Sequence, residues 1–65
     1  MKIDVNGEAR EIAAETLAAA LVELGWADAR VATALNGNFV PKGARADTVI
    51  SPGDRLEVLA PMQGG

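Results

Sequence analysis

Asn-Gly occurs twice in this chain, at Asn6-Gly7 and Asn36-Gly37, each time between short runs of strand-forming residues. A two-residue type I′ hairpin needs positive φ at both central positions, and Asn-Gly accepts that conformation more readily than almost any other pair. Each site therefore predicts two antiparallel strands joined by a tight turn. Before the first, Met1, Ile3 and Val5 alternate with Lys2, Asp4 and Asn6, the period-two pattern of a half-buried strand, and residues 8–12 read as its return. Before the second, residues 31–35 form an apolar run; Phe39 and Val40 follow the turn, and Pro41 ends that strand because it cannot donate to a ladder.

Between the hairpins the period changes. Leu17, Ala20, Leu21 and Leu24 fall at i, i+3, i+4 and i+7, the stripe of an amphipathic helix. Thr16 is placed to cap its start and Gly25 its end, while the alanines at 18–20 favour the helix and let it sit close to a sheet. Trp26 follows as a lid on the edge of the core, where its large apolar area is best used. Residues 42–47 are polar and read as irregular. Ser51-Pro52-Gly53-Asp54 is a turn signature, and residues 55–60 form a last strand. The economical assembly is α+β: one mixed sheet of four to five strands with one main helix packed across one face. The long connection through the helix leaves the first and last strands able to lie side by side in the middle of the sheet.

A chain of 65 residues is one domain at most, and folding buries only about 60% of the surface that its unfolded form exposes. Its apolar fraction of 49% is ordinary for a soluble globular protein, and no apolar run approaches the roughly 18 residues of a membrane span. The N-terminal segment lacks the apolar stretch of a secretory signal, so the expected location is the cytoplasm. Cysteine and histidine are both absent. That excludes a disulfide framework and a thiolate metal site, and removes the commonest general base and the commonest neutral metal ligand. With net charge −3, scattered cations and only Trp26 and Phe39 as aromatics, neither a phosphate-tracking surface nor a base-stacking platform is supported.

No catalytic constellation can be assembled. The carboxylates stand singly and read as solvated surface charges, and neither Asn-Gly turn opens a phosphate-binding glycine motif. The last strand says more. Alternation puts Leu56, Val58 and Ala60 on one face and Arg55, Glu57 and Leu59 on the other, so Leu59 is expected on the open face. With Met62 just beyond it, an apolar partner-binding patch beside the chain end is expected.

Domain boundaries follow at 1–61 for the folded unit and 62–65 for a flexible Gly-Gly tail. About four residues beyond the last strand reach roughly 13 to 14 Å when extended. Gly64 and Gly65 have no Cβ, so they can thread a narrow channel and take up backbone angles closed to other residues. A terminal Gly-Gly pair alone is an ordinary frayed end. In this position it would deliver one reactive group, an α-carboxylate that is ionised at neutral pH and reacts only after activation.

These segments, in this order, resemble the ThiS family of sulfur carriers in thiamin biosynthesis. MKIDVNGEARE is similar to that family's opening hairpin and TLAAALVELG to its helix. ALNGNFVPK is similar to its N-G-x-x-V-P-R/K hairpin, TVISPGDRLEV to its last turn and strand, and the closing GG to its end. The resemblance implies a ubiquitin-like β-grasp fold and a carrier, not an enzyme. A ThiF-like adenylyltransferase would activate Gly65 with ATP, a sulfur donor system would convert it to a thiocarboxylate, and a ThiG-like thiazole synthase would take the sulfur. Gly65 would then be the modified residue and Gly64 the slender neck beside it. No cofactor would be bound by the carrier itself, and it would be a monomer when free. Arg45 stands where many relatives have tryptophan, and PMQGG replaces a commoner valine-glycine-rich ending, so detailed partner contacts do not carry over. The small subunit of molybdopterin synthase and a ubiquitin-like protein modifier share the fold and the tail and stay open at this stage, as does a β-grasp binding module with an inert end.

Overall fold

The computed structural model describes residues 1–27 and 30–60. Both Asn-Gly sites are hairpin turns. Asn6 and Asn36 each have φ +52°, followed by Gly7 at +88° and Gly37 at +84°, so both residues of each turn occupy the left-handed region that Asn and Gly tolerate. The first hairpin joins β1 (Lys2–Val5) to β2 (Glu8–Glu11), and the second joins β3 (Ala32–Leu35) to β4 (Asn38–Val40). The last strand, β5 (Arg55–Leu59), lies between them in a five-stranded sheet of order β2-β1-β5-β3-β4. It runs parallel to β1, with Asp4 opposite Arg55 and Val5 opposite Leu56, and antiparallel to β3, with Leu35 opposite Leu56 and Ala32 opposite Leu59.

The helix α1 (Leu17–Leu24) starts at Thr16, whose side chain accepts from the Ala19 N–H, and ends at Gly25, whose N–H turns back to the carbonyls of Leu21 and Val22. Its stripe is the expected one: Leu17, Ala20 and Leu21 are buried, while Leu24 and Trp26 pack partly buried against the same core. The sheet supplies Ile3, Val5, Val40, Leu56 and Val58 from the facing side. Ile12, just past β2, and Ile50 close the ends. Ile50 is drawn in by the segment before it, where the Leu17 N–H donates to Thr48 O and the Ile50 N–H to Glu15 O, both at 2.9 Å.

Four local expectations are corrected. Residues 42–47 are not irregular but form a 3-10 helix, Lys42–Asp47, packed against α1. The strand expected over 31–35 begins at Ala32. The last strand stops at Leu59, so Ala60 lies beyond it and is exposed instead of buried in the core with Leu56 and Val58. Glu23 is not simply solvated: its carboxylate accepts from the Ala13 and Ala14 N–H groups at 2.9 to 3.0 Å, satisfying the loop between β2 and α1. The expected tail, with its boundary at Pro61 and with Met62, Gly64 and Gly65, lies outside the described residues.

The chain start is tied down by charge. The Met1 ammonium donates to Ile12 O at 2.6 Å and stands 2.9 Å from Glu11 Oε2. Its hydrogen bond, then its charge, hold the Glu11 carboxyl below the ordinary carboxylate range, with Lys2 adding in the same sense against slight desolvation. A carboxyl whose folded pKa lies below its unfolded one contributes stability above the unfolded value and loses it as pH falls through the folded value. Glu11→Gln should therefore unfold at nearly the wild-type denaturant concentration at about pH 3, and slightly below it at neutral pH. The effect is small because Glu11 is exposed. Equal midpoint differences at both pH values would dissociate the ion pair from stability.

Candidate functional site

The face of the sheet away from α1 divides into two halves. Lys2, Asp4, Glu11, Arg55 and Glu57 make the side formed by β2, β1 and β5 charged, with Asp4 directly opposite Arg55. The β3–β4 side is apolar. Val40 and Thr33 are buried toward the helix, so parity turns Phe39 and its partner Ala34 outward, and Leu59 and its partner Ala32 likewise. Phe39 is 70% exposed and Leu59 71%, and the two alanines lie between them in register. Large apolar side chains left in water on one half of a sheet, at the pole where the chain leaves β5, form a surface suited to covering by another protein.

Leu59 is thus where alternation puts it. Phe39 is the member of the patch that sequence reasoning missed, although the Asn-Gly register already fixed it on the side opposite Val40. Whether Met62 joins the patch lies outside the described residues, as do the positions of Gly64 and Gly65.

On the helix side of the same pole an open groove runs between α1, Trp26 and the 3-10 helix and ends at Leu59 and Ala60. Arg45 forms part of its wall and braces it. Its Nε donates to the Thr33 hydroxyl at 3.1 Å and its Nη2 to Val31 O at 2.6 Å, while the Thr33 hydroxyl donates to Val40 O at 2.8 Å. The only buried polar side chain of the described core, that of Thr33, is thereby satisfied as donor and acceptor. Arg45 thus holds the 3-10 helix to β3 and to Val31 just before it.

Among the described residues no group of three or more His, Cys, Asp and Glu is placed to hold a metal ion, and no helix is long and apolar enough to cross a membrane.

One helix across a five-stranded sheet with first and last strands parallel at its centre defines a ubiquitin-like β-grasp domain. A sequence model of the ThiS family matches residues 3–65, so the chain belongs to the ThiS family of sulfur carriers. The crystal structure of the thiamine biosynthesis protein ThiS from Geobacter metallireducens superposes with a TM-score of 0.83 at 33% identity, covering 100% of both chains. A solution structure of a thiamine biosynthesis protein from the same organism gives 0.80 at 29% identity, over 100% of this chain and 88% of that one. A thiazole synthase from Paramagnetospirillum magneticum is 41% identical over 66 residues, which cover 100% of this chain. This chain spans only 20% of that relative's length.

Proposed function

We propose that this chain carries sulfur to thiazole formation in thiamin biosynthesis as a thiocarboxylate on Gly65. The observation that carries the reading is the relative in which a sequence 41% identical to the whole of this chain makes up a fifth of a thiazole synthase. Carrier and consumer joined in one polypeptide support a working pair. By the same reading a ThiG-like synthase is the partner that this chain meets.

The chemistry requires little of the carrier beyond reach and slenderness. A Gly65 carboxylate oxygen attacks the α-phosphorus of ATP in a ThiF-like adenylyltransferase, forming a P–O bond as pyrophosphate leaves. The terminal sulfur of a persulfide on a cysteine desulfurase system adds to the acyl carbon as AMP departs. A thiol reductant then cleaves the resulting acyl disulfide, releasing the thiocarboxylate while the thiol is oxidised to a disulfide. One C–O bond is exchanged for one C–S bond, and the carrier is neither oxidised nor reduced. Gly64, without a Cβ, lets the end enter a narrow active site. The Phe39–Leu59 face, with Met62 nearby in sequence, is the surface that holds the carrier against its partners while the tail is engaged.

The test is mass analysis of the carrier after incubation with the adenylating enzyme, ATP and sulfide, and after isolation from sulfur-replete cells. Oxygen-to-sulfur exchange confined to the peptide ending in Gly65 is expected, together with rescue of a deletion strain by thiazole. Amide conjugates on other proteins would make the chain a modifier instead, and rescue by molybdopterin precursors would move it to the other pathway. A terminus unmodified under every condition sinks the carrier reading.

A further inference from the structure

The side chain of Asn6 stands in for a missing strand. β1 follows β5 in parallel as far as Val5 opposite Leu56, and the Asn6 N–H then donates to Leu56 O at 2.9 Å. There the chain turns into the hairpin and leaves that edge of β5. Val58, two residues beyond Leu56, turns its N–H and C=O to the same vacated edge, because alternate residues of a strand bond to the same side. The Asn6 carboxamide takes both: the Val58 N–H donates to Oδ1 at 2.8 Å, and Nδ2 donates to Val58 O at 3.1 Å. A carboxamide offers the donor and acceptor of a peptide group, and Asn also tolerates the positive φ of the turn, so one residue meets both demands.

On the other edge β3 holds the same level of β5, with Thr33 opposite Val58 and Ala32 opposite Leu59. The last rungs before Ala60 are therefore gripped from both sides. Resting on the carrier reading above, we infer that Asn6 is a positioning residue for tail activation. It fixes the direction in which the chain leaves β5 relative to the Phe39–Leu59 face, so that a docked partner finds Gly65 at its reacting atom.

The molecule contains its own control. Asn36, also at φ +52° in an Asn-Gly turn, grips β5 at its other end, donating its N–H to Arg55 O at 2.8 Å and accepting the Arg55 N–H on Oδ1 at 2.9 Å. Three residues, or about 10 Å of strand, separate the two grips. Asn6→Gly and Asn36→Gly both keep the turn conformation and remove one side-chain clamp each.

Three quantities are measured on the full chain: the denaturation midpoint, amide exchange at Val58 and Arg55, and kcat and KM for the carrier in ATP-dependent activation by the adenylating enzyme. Both variants should lose comparable stability. Asn6→Gly should speed Val58 exchange about tenfold, the loss of two modest hydrogen bonds, and lower kcat about tenfold with KM for the carrier unchanged, since the docking face is intact and only the approach geometry is loosened. Asn36→Gly should speed Arg55 exchange and leave kcat and KM at wild-type values. Wild-type kcat in Asn6→Gly, or equal losses of kcat in both variants, would reduce Asn6 to a structural clamp and overturn the inference. Failure of the wild-type chain to be activated at all removes the carrier reading and the role of Asn6 with it, whereas Val58 exchange still reports the clamp itself.

Discussion

Deletion of Gly65 is expected to abolish ATP-dependent activation and leave the fold untouched. Every buried apolar residue of the described core lies between Ile3 and Val58, and the last described rung of the sheet pairs Leu59 with Ala32, six residues before Gly65. Removing the last residue takes away no described contact, so the denaturation midpoint should stay within about 0.5 kcal/mol of wild type. The reaction is far less forgiving. A tail one residue short brings its carboxylate about 3.3 to 3.6 Å too far back, whereas in-line attack requires reacting atoms about 3 to 3.5 Å apart, and a 1 Å error already costs about a hundredfold. Activation assayed by ATP–pyrophosphate exchange should therefore fall by at least about two orders of magnitude. A truncated chain that exchanges pyrophosphate at the wild-type rate would show that the reactive carboxylate is not the one on Gly65.

The parts of the fold legible in the sequence are those written in local pattern. Asn-Gly fixes a hairpin through the φ values of two adjacent residues, and the stripe Leu17, Ala20, Leu21, Leu24 fixes a helix face within two turns. Leu59 could be placed on the open face because parity along a strand is also local, and Phe39 could have been placed by the same rule. The parallel pairing of β1 with β5 is different: it joins Val5 to Leu56, and no periodicity in either segment names the other, so it entered through the family resemblance. The Asn6 clamp on Val58 spans 52 residues and was invisible for that reason. Residues 42–47 were misread because KGARAD has no apolar period. What makes them a 3-10 helix against α1 includes the reach of Arg45 to Val31 and Thr33 across a tertiary gap. The chemistry assigned to Gly64 and Gly65 rests on composition, reach and relatives, since their positions lie outside the described residues.

Two leucines three residues apart on β5 should separate folding from docking. Leu56 is fully buried at the centre of the sheet, between β1 and β3. Truncating it to alanine leaves a cavity that neighbours on three sides can only partly fill, a loss of about 2 to 5 kcal/mol. A 65-residue domain commands only about 3 to 10 kcal/mol in total, so Leu56→Ala should be largely unfolded in modest denaturant and show a collapsed thermal midpoint. Leu59 projects from the opposite face, 71% exposed, and Leu59→Ala should shift stability by no more than about 0.5 kcal/mol. Its effect should appear in binding. If the Phe39–Leu59 face is where the thiazole synthase partner seats, Leu59→Ala and Phe39→Ala should each weaken the complex by about 1 to 2 kcal/mol, roughly 5- to 30-fold in Kd by calorimetry. A charge at the same position, Leu59→Glu, should cost more than either, because an unpaired carboxylate would be buried against an apolar surface. Stable Leu59 and Phe39 variants that bind with wild-type affinity would exclude this face from docking and shift attention to the groove beside Trp26 and Arg45, which reaches the same end of β5 from the helix side.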